Sequence, residues 1–171
     1  LQVVEGLPPI TDVHGTLDIT EASVTAQEIN GRAFAGPVRV QVGSEAGKDG
    51  GKVLIKASGK ADLGEVGRHF AWPLLDRVSG AAQWKSDIII QKRRAYVLVT
   101  SDLLGAVSPW PEPLKKTADS TLPLRIERSE PVAGQENYRI TLGKVMSGLL
   151  VRRDGRWAHG SINVGGAGGA P

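Results

Sequence analysis

Alternation of apolar and polar side chains with a period of two runs through most of this 171-residue chain and limits its fold more than any other feature. In a strand, successive side chains point to opposite faces, so residues two apart share one. The segment Val38-Arg39-Val40-Gln41-Val42 sets three valines against two polar residues, and Val53, Ile55 and Ala57 repeat the pattern. Trp84, Ile88 and Ile90 face one way, while Gln83, Lys85, Asp87 and Gln91 mostly face the other. Further strands are expected at Leu17 and Ile19, at Val24 and Ala26, over 95–101, at Leu122 to Ile126 and at Tyr138 to Leu142.

The breaks between these runs carry turn chemistry. Asn30-Gly31 suits a tight turn with positive φ, the basic run 91–94 returns the chain into the next strand, and Asp154-Gly155 joins a last hairpin. The 22 glycines punctuate strands, at Gly15, Gly31, Gly36, Gly80 and Gly155 among others. Only over 61–80 does the apolar spacing drift toward three and four. One or two short helices are expected around 62–79, broken by Pro73 and stopped near Gly80. Three prolines within 108–114 make that stretch a loop or an extended edge. The Gly-rich tail 165–171 has no side chains to pack and is expected to be flexible. Residues 1–164 read as a single β-rich segment. The pattern Ile10-x-x-Val13-x-Gly15 returns as Leu75-x-x-Val78-x-Gly80, which fits two hairpin units at about 7–60 and 78–164.

Strand count then limits how the apolar surface can be covered. Roughly nine strands at about 4.8 Å spacing make a sheet near 43 Å wide. A helix of about nine residues is only about 13 Å long. It cannot cover a face of Val, Ile, Leu and Trp, each of which gains roughly 1.5–3 kcal/mol on burial. Either the sheet closes on itself, or its apolar face lines a groove. Alternation alone does not choose between them.

Catalytic constellations are thin. The chain has no Cys, which removes disulfides, thiolate catalysis and Cys-based metal sites. His14, His69 and His159 lie in separate segments without metal-ligand spacing, so no metal and no cofactor is expected. No Gly-x-Ser-x-Gly elbow occurs, and the Gly-rich stretch 43–52 lacks P-loop spacing. The net charge is +3. Lys92, Arg93 and Arg94, then Arg152, Arg153 and Arg156, and Lys115-Lys116 read as solvated turns, with phospholipid head groups at a groove rim as the sharper alternative. No nucleic-acid-binding signature accompanies them. No run approaches the ~18 apolar residues of a membrane span.

Two stretches carry a family resemblance. Residues 7–42 (LPPITDVHGTLDITEASVTAQEINGRAFAGPVRVQV) resemble the module of YhdP-type AsmA-like proteins (AsmA/TamB superfamily), in which a Pro-Pro start and a Gly-led strand precede a turn and a Gly-Pro strand. Residues 78–128 resemble the same family more fully. They carry Ser79, Gly80 and Trp84, then Ser101-Asp102-Leu103 with Gly105, then Pro111, Pro113, Leu114 and Lys115, and lastly Leu122-Pro123-Leu124. One departure is Phe34-Ala35-Gly36-Pro37, where the family pattern leads one to expect Leu-Gly-Gly-Pro.

The resemblance implies a long, β-rich protein of the Gram-negative envelope, anchored in the inner membrane by a helix outside these residues and projecting into the periplasm. It implies phospholipid carriage along an apolar groove and supplies no catalytic residues. The expected fold is therefore mainly β: an elongated, twisted antiparallel sheet forming a curved groove or half-barrel. The expected function is non-enzymatic, with phospholipid acyl chains and the rest of its own longer chain as partners. From alternation, the lipid-facing candidates are Val38, Val40, Val53, Ile55, Trp84, Ile88, Ile90 and Leu98. The alternative is a structural or interaction module with a closed core and no lipid. An enzyme, the third reading, would need a polar cleft with paired carboxylates or a metal site.

Overall fold

The computed structural model describes residues 10–21, 23–45, 51–70 and 75–165. Twelve strands occur among them: β1 Thr11–Gly15, β2 Asp18–Ile19, β3 Val24–Ala33, β4 Gly36–Glu45, β5 Lys52–Asp62, β6 Ser79–Gln91, β7 Arg94–Ser101, β8 Ala106–Val107, β9 Leu124–Val132, β10 Gln135–Leu142, β11 Met146–Arg153 and β12 Arg156–Val164. All pairings are antiparallel, and the sheet runs β1-β3-β4-β5-β6-β7-β9-β10-β11-β12, with β2 beside β3 and β8 beside β6. It is not closed into a barrel; the mainly β, antiparallel, curved-groove expectation holds. β5 and β6 pair from Lys52↔Gln91 to Asp62↔Ala81, so the ladder passes unbroken from the first half of the chain into the second.

The one α-helix among the described residues, α1 (Leu63–Phe70), follows β5 directly. Asp62 starts it, its Oδ1 accepting the Glu65 backbone N–H at 3.0 Å. Gly67 lets the returning chain approach, since a Cβ there would lie 3.2 Å from the Leu75 Cβ. The helix end stacks on the β3–β4 turn, with the Phe34 ring 5.7 Å from His69 and 6.1 Å from Phe70. α1 therefore sits at one end of the sheet, against β5 and β6, and does not span its width.

Several local expectations shift. The first hairpin turns at Phe34-Ala35 (φ 50° and 58°), and Asn30-Gly31 lies inside β3. Gly31 is needed there for space, because a Cβ would fall 2.5 Å from the Ile10 Cγ2. Leu17 and Ile19 sit on or beside a two-residue strand and stay exposed. Gly80 belongs to β6 and ends no helix; its φ of 86° brings it against the Gly105 carbonyl. Pro73 and the tail beyond Gly165 lie outside the described residues. The turns at Lys92-Arg93 and Asp154-Gly155 fall where expected, each with two consecutive positive φ values.

Lys116 departs furthest from a solvated turn residue. It is buried, and its ammonium donates to the carbonyls of Ala106, Thr117 and Ser120 at 2.8–2.9 Å. Burial pulls its pKa below that of a free lysine, opposed by Asp102 and Asp119. Three N–H donors thus meet three carbonyls, and the proline-containing loop between β7 and β9 is tied together from inside.

Candidate functional site

The register sorts the alternating residues into one continuous apolar face. One row crosses the sheet as Val42, Ile55, Ile88 and Val97 on β4–β7, then Arg128, Tyr138 and Leu150 on β9–β11. The neighbouring row runs Val40, Ala57, Ser86, Val99, Ile126, Ile140, Gly148 and Ile162. Seven of the eight expected residues share this face: Val38, Val40, Val53, Ile55, Trp84, Ile88 and Ile90. Leu98 does not. It pairs with Asp87 and Glu127, on the opposite face, and Val97 and Val99 are the β7 residues that belong here.

Exposure divides the face. Across β4–β7, Val38, Val40, Ile55, Ile88 and Val97 are only 4–6% exposed and form a core cluster with Ala33. Val53, Trp84 and Ile90 pack against that cluster half-buried. Toward the far edge the face opens, and Ile162 and Val164 on β12 are each 49% exposed. A cleft of about 810 Å³ lies along β3–β9, lined mainly by opposite-face residues such as Asn30, Arg39, Ser58, Lys85, Thr100 and Arg125, with Val38, Gly59, Trp84 and Leu124 also contributing.

A charged cluster interrupts the apolar rows. Arg128 on β9, Glu136 on β10 and Arg152 on β11 meet there, with side chains 14%, 18% and 28% exposed. One Glu136 oxygen takes the Arg128 Nη2; the other accepts the Arg152 Nη1 and the Tyr138 hydroxyl, each at 3.2 Å. Arg128 also donates from Nη1 to the Ala95 carbonyl at 3.3 Å. Burial alone would raise the Glu136 pKa, but the Arg128 hydrogen bond and charge, with Tyr138 and Arg152, outweigh it and hold the carboxyl below its ordinary value. The Tyr138 and Trp157 rings lie 5.4 Å apart beside the cluster. Among the described residues, two buried side-chain polar atoms lack a partner, the Arg128 Nε and the Trp84 Nε1. Both are donors carried on this face.

The opposite face is mainly polar, with Leu54, Ile89, Leu98, Leu149 and the buried Val151 set among its polar residues. Its network joins the Tyr96 hydroxyl to Glu127 at 3.0 Å and Arg125 to the same oxygen at 2.6 Å. The three histidines sit apart on β1, α1 and β12, and no group of three metal-ligating side chains occurs among the described residues.

Alternation located most of the apolar face but missed the cluster. Arg128 continues the parity of Leu124 and Ile126, which was the one available signal. Arg152 flanks the Asp154-Gly155 turn in the sequence, yet it pairs with Glu136 inside β11. Among the described residues no helix is long and apolar enough to cross a membrane. The family model described as YhdP protein matches residues 1–171. No curated protein and no solved structure matches the chain.

Proposed function

The chain belongs to the YhdP family over its whole length, and from that membership we propose that this AsmA-like envelope protein carries phospholipid between inner and outer membranes, its acyl chains lying on the apolar face. The observation that supports this is the largely apolar row from Val40 on β4 to Ile162 on β12, which passes beside the charged cluster, with α1 packed at the β5–β6 end of the face. Each methylene moved from water onto such a surface gains about 0.8 kcal/mol, enough to hold a chain without a closed pocket. The mechanism is passive and non-enzymatic, and the setting is the periplasm. Alkyl chains offer nothing to hydrogen-bond, so discrimination among acyl types is weak.

The tight core at β4–β7 assigns the roles unevenly. Val38, Val40, Ile55 and Ile88 have little surface left to share, so they form the floor that holds the curl. The half-buried Val53, Trp84 and Ile90 and the open β9–β12 end offer surface to lipid. That same core favours the second reading, a structural module without lipid. Photocrosslinking in the periplasm separates the two. A photoreactive residue at Trp84, Ile90 or Ile162 captures phospholipid, whereas one at Leu98 on the polar face does not. Capture at none of the apolar positions leaves the structural reading.

A further inference from the structure

Two guanidinium groups share one carboxylate on a mostly apolar face, which leaves one positive charge in excess. Each charge taken out of water costs free energy, and even one pair breaks even with difficulty. Here the second arginine shares the Glu136 carboxylate, so the three side chains together carry a net positive charge. Arg152 donates from Nη1 to Glu136, and it is the most exposed of the three. The Arg128 Nε is buried with no acceptor. The accessible edge of Arg152 and the excess charge point the same way. A planar guanidinium edge suits the oxygens of a phosphate.

We propose that Arg128 and Arg152, braced by Glu136, form a phosphate-binding station on the apolar face, which takes the phosphate of a phospholipid head group or a free phosphate. The Tyr138 and Trp157 ring pair beside it provides an amphipathic wall where the polar and alkyl parts of such a lipid would meet. Along the same row, Val97 stands directly opposite Arg128 with Ile88 beyond it, both buried in the core cluster, whereas the face opens toward β12 at Ile162 and Val164, so chains leaving the station run toward that edge. The lipid form of the proposal rests on the carrier reading above; the phosphate site itself does not.

Binding of three probes to the purified chain tests it: dihexanoyl-phosphatidylglycerol below its micellar concentration, inorganic phosphate, and uncharged octyl glucoside. Trp157, 5.4 Å from Tyr138, serves as the fluorescence reporter, with calorimetry beside it. Arg152→Gln is expected to weaken phosphatidylglycerol binding about ten-fold or more while leaving the glucoside unchanged. Glu136→Gln, which frees both arginines, is expected to tighten it; a merely structural network gives no such gain. Arg152→Lys keeps the charge, loses the fork and falls between, which guards against a variant that unfolds. Dependence on Arg152 for inorganic phosphate but not for the lipid supports a free-phosphate site. Lipid binding indifferent to all three substitutions, with no phosphate binding, overturns the station and leaves the groove standing. Failure of both phosphatidylglycerol and glucoside to bind, with phosphate still dependent on Arg152, removes the groove and keeps the station.

Discussion

Gly36 on β4 lies so close to Lys60 on β5 that a Cβ at position 36 would fall 1.7 Å from the Lys60 carbonyl oxygen. The contact is backbone to backbone, so no side chain can turn aside to relieve it. It sits where the first hairpin, β5 and α1 meet, next to the Asp62 N–H donating to the Phe34 carbonyl at 2.9 Å. Gly36→Ala is expected to cost about 3 kcal/mol or more in denaturant unfolding. Gly43 on the same strand has nothing within 4 Å of a built Cβ, and Gly43→Ala is expected to be neutral or to stabilise by up to about 1 kcal/mol. Equal losses at both positions would show that the Lys60 contact is not what matters.

One residue earlier, Ala35 holds a φ of 58°, a conformation that L-residues adopt at a cost and glycine does not. This is also where the family pattern leads one to expect glycine. Ala35→Gly is expected to raise stability by about 1 kcal/mol, read as a higher denaturation midpoint with an unchanged slope. A loss would mean that the greater freedom of glycine in the unfolded chain outweighs the relief of strain.

These two positions also show what alternation can and cannot reveal. The valines of β4 announce their face because Arg39 and Gln41 separate them, whereas Ile88-Ile89-Ile90 on β6 runs through both parities. In Ala95-Tyr96-Val97-Leu98-Val99 both parities are apolar, so period two carries no sign, and Leu98 falls on the face opposite to the one expected. Its true side follows only from the pairing Asp87↔Leu98↔Glu127, which is long-range information. Asn30-Gly31 has ideal turn chemistry, yet the same glycine serves the approach of β1 instead. Lys116 and Arg128 look like ordinary surface charges, because their acceptors come from residues made neighbours by the fold. Strands and most turns are local properties; the partners of buried charges are not.

The Glu136 carboxyl provides a pH signature. Its folded pKa lies below the ordinary 4.5, so between the two values the unfolded chain binds more protons and stability rises with pH. The contribution is fully present above about 4.5 and is lost as pH falls through the folded-state value. Glu127, lowered first by its hydrogen bond from Arg125, acts in the same direction on the other face. Thermal unfolding between about pH 3 and 6 is expected to show a shallower acid limb in Glu136→Gln than in the wild type, along with a loss of about 1–3 kcal/mol at neutral pH. An unchanged acid limb would mean that the cluster is not coupled to folding.

Ile88 and Ile162 stand on the same apolar face but at its two extremes, 4% and 49% exposed. Ile88 packs among Ile55 and Val97 in the core cluster, so Ile88→Ala leaves a cavity and is expected to cost about 2–4 kcal/mol. Ile162 has little protein to lose, and Ile162→Ala is expected to change stability by less than about 0.5–1 kcal/mol. Lipid capture runs the other way. Truncation at 162 removes surface that an acyl chain would cover, so phospholipid recovered with the protein, measured by mass spectrometry, falls for Ile162→Ala at unchanged fold. Replacing Ile162 by Asp deepens that loss, because an ionised carboxylate there stays in water only if the chain is displaced. A protein that keeps its lipid after Ile162→Asp, or recovers none before it, holds its apolar face for structure and not for transport.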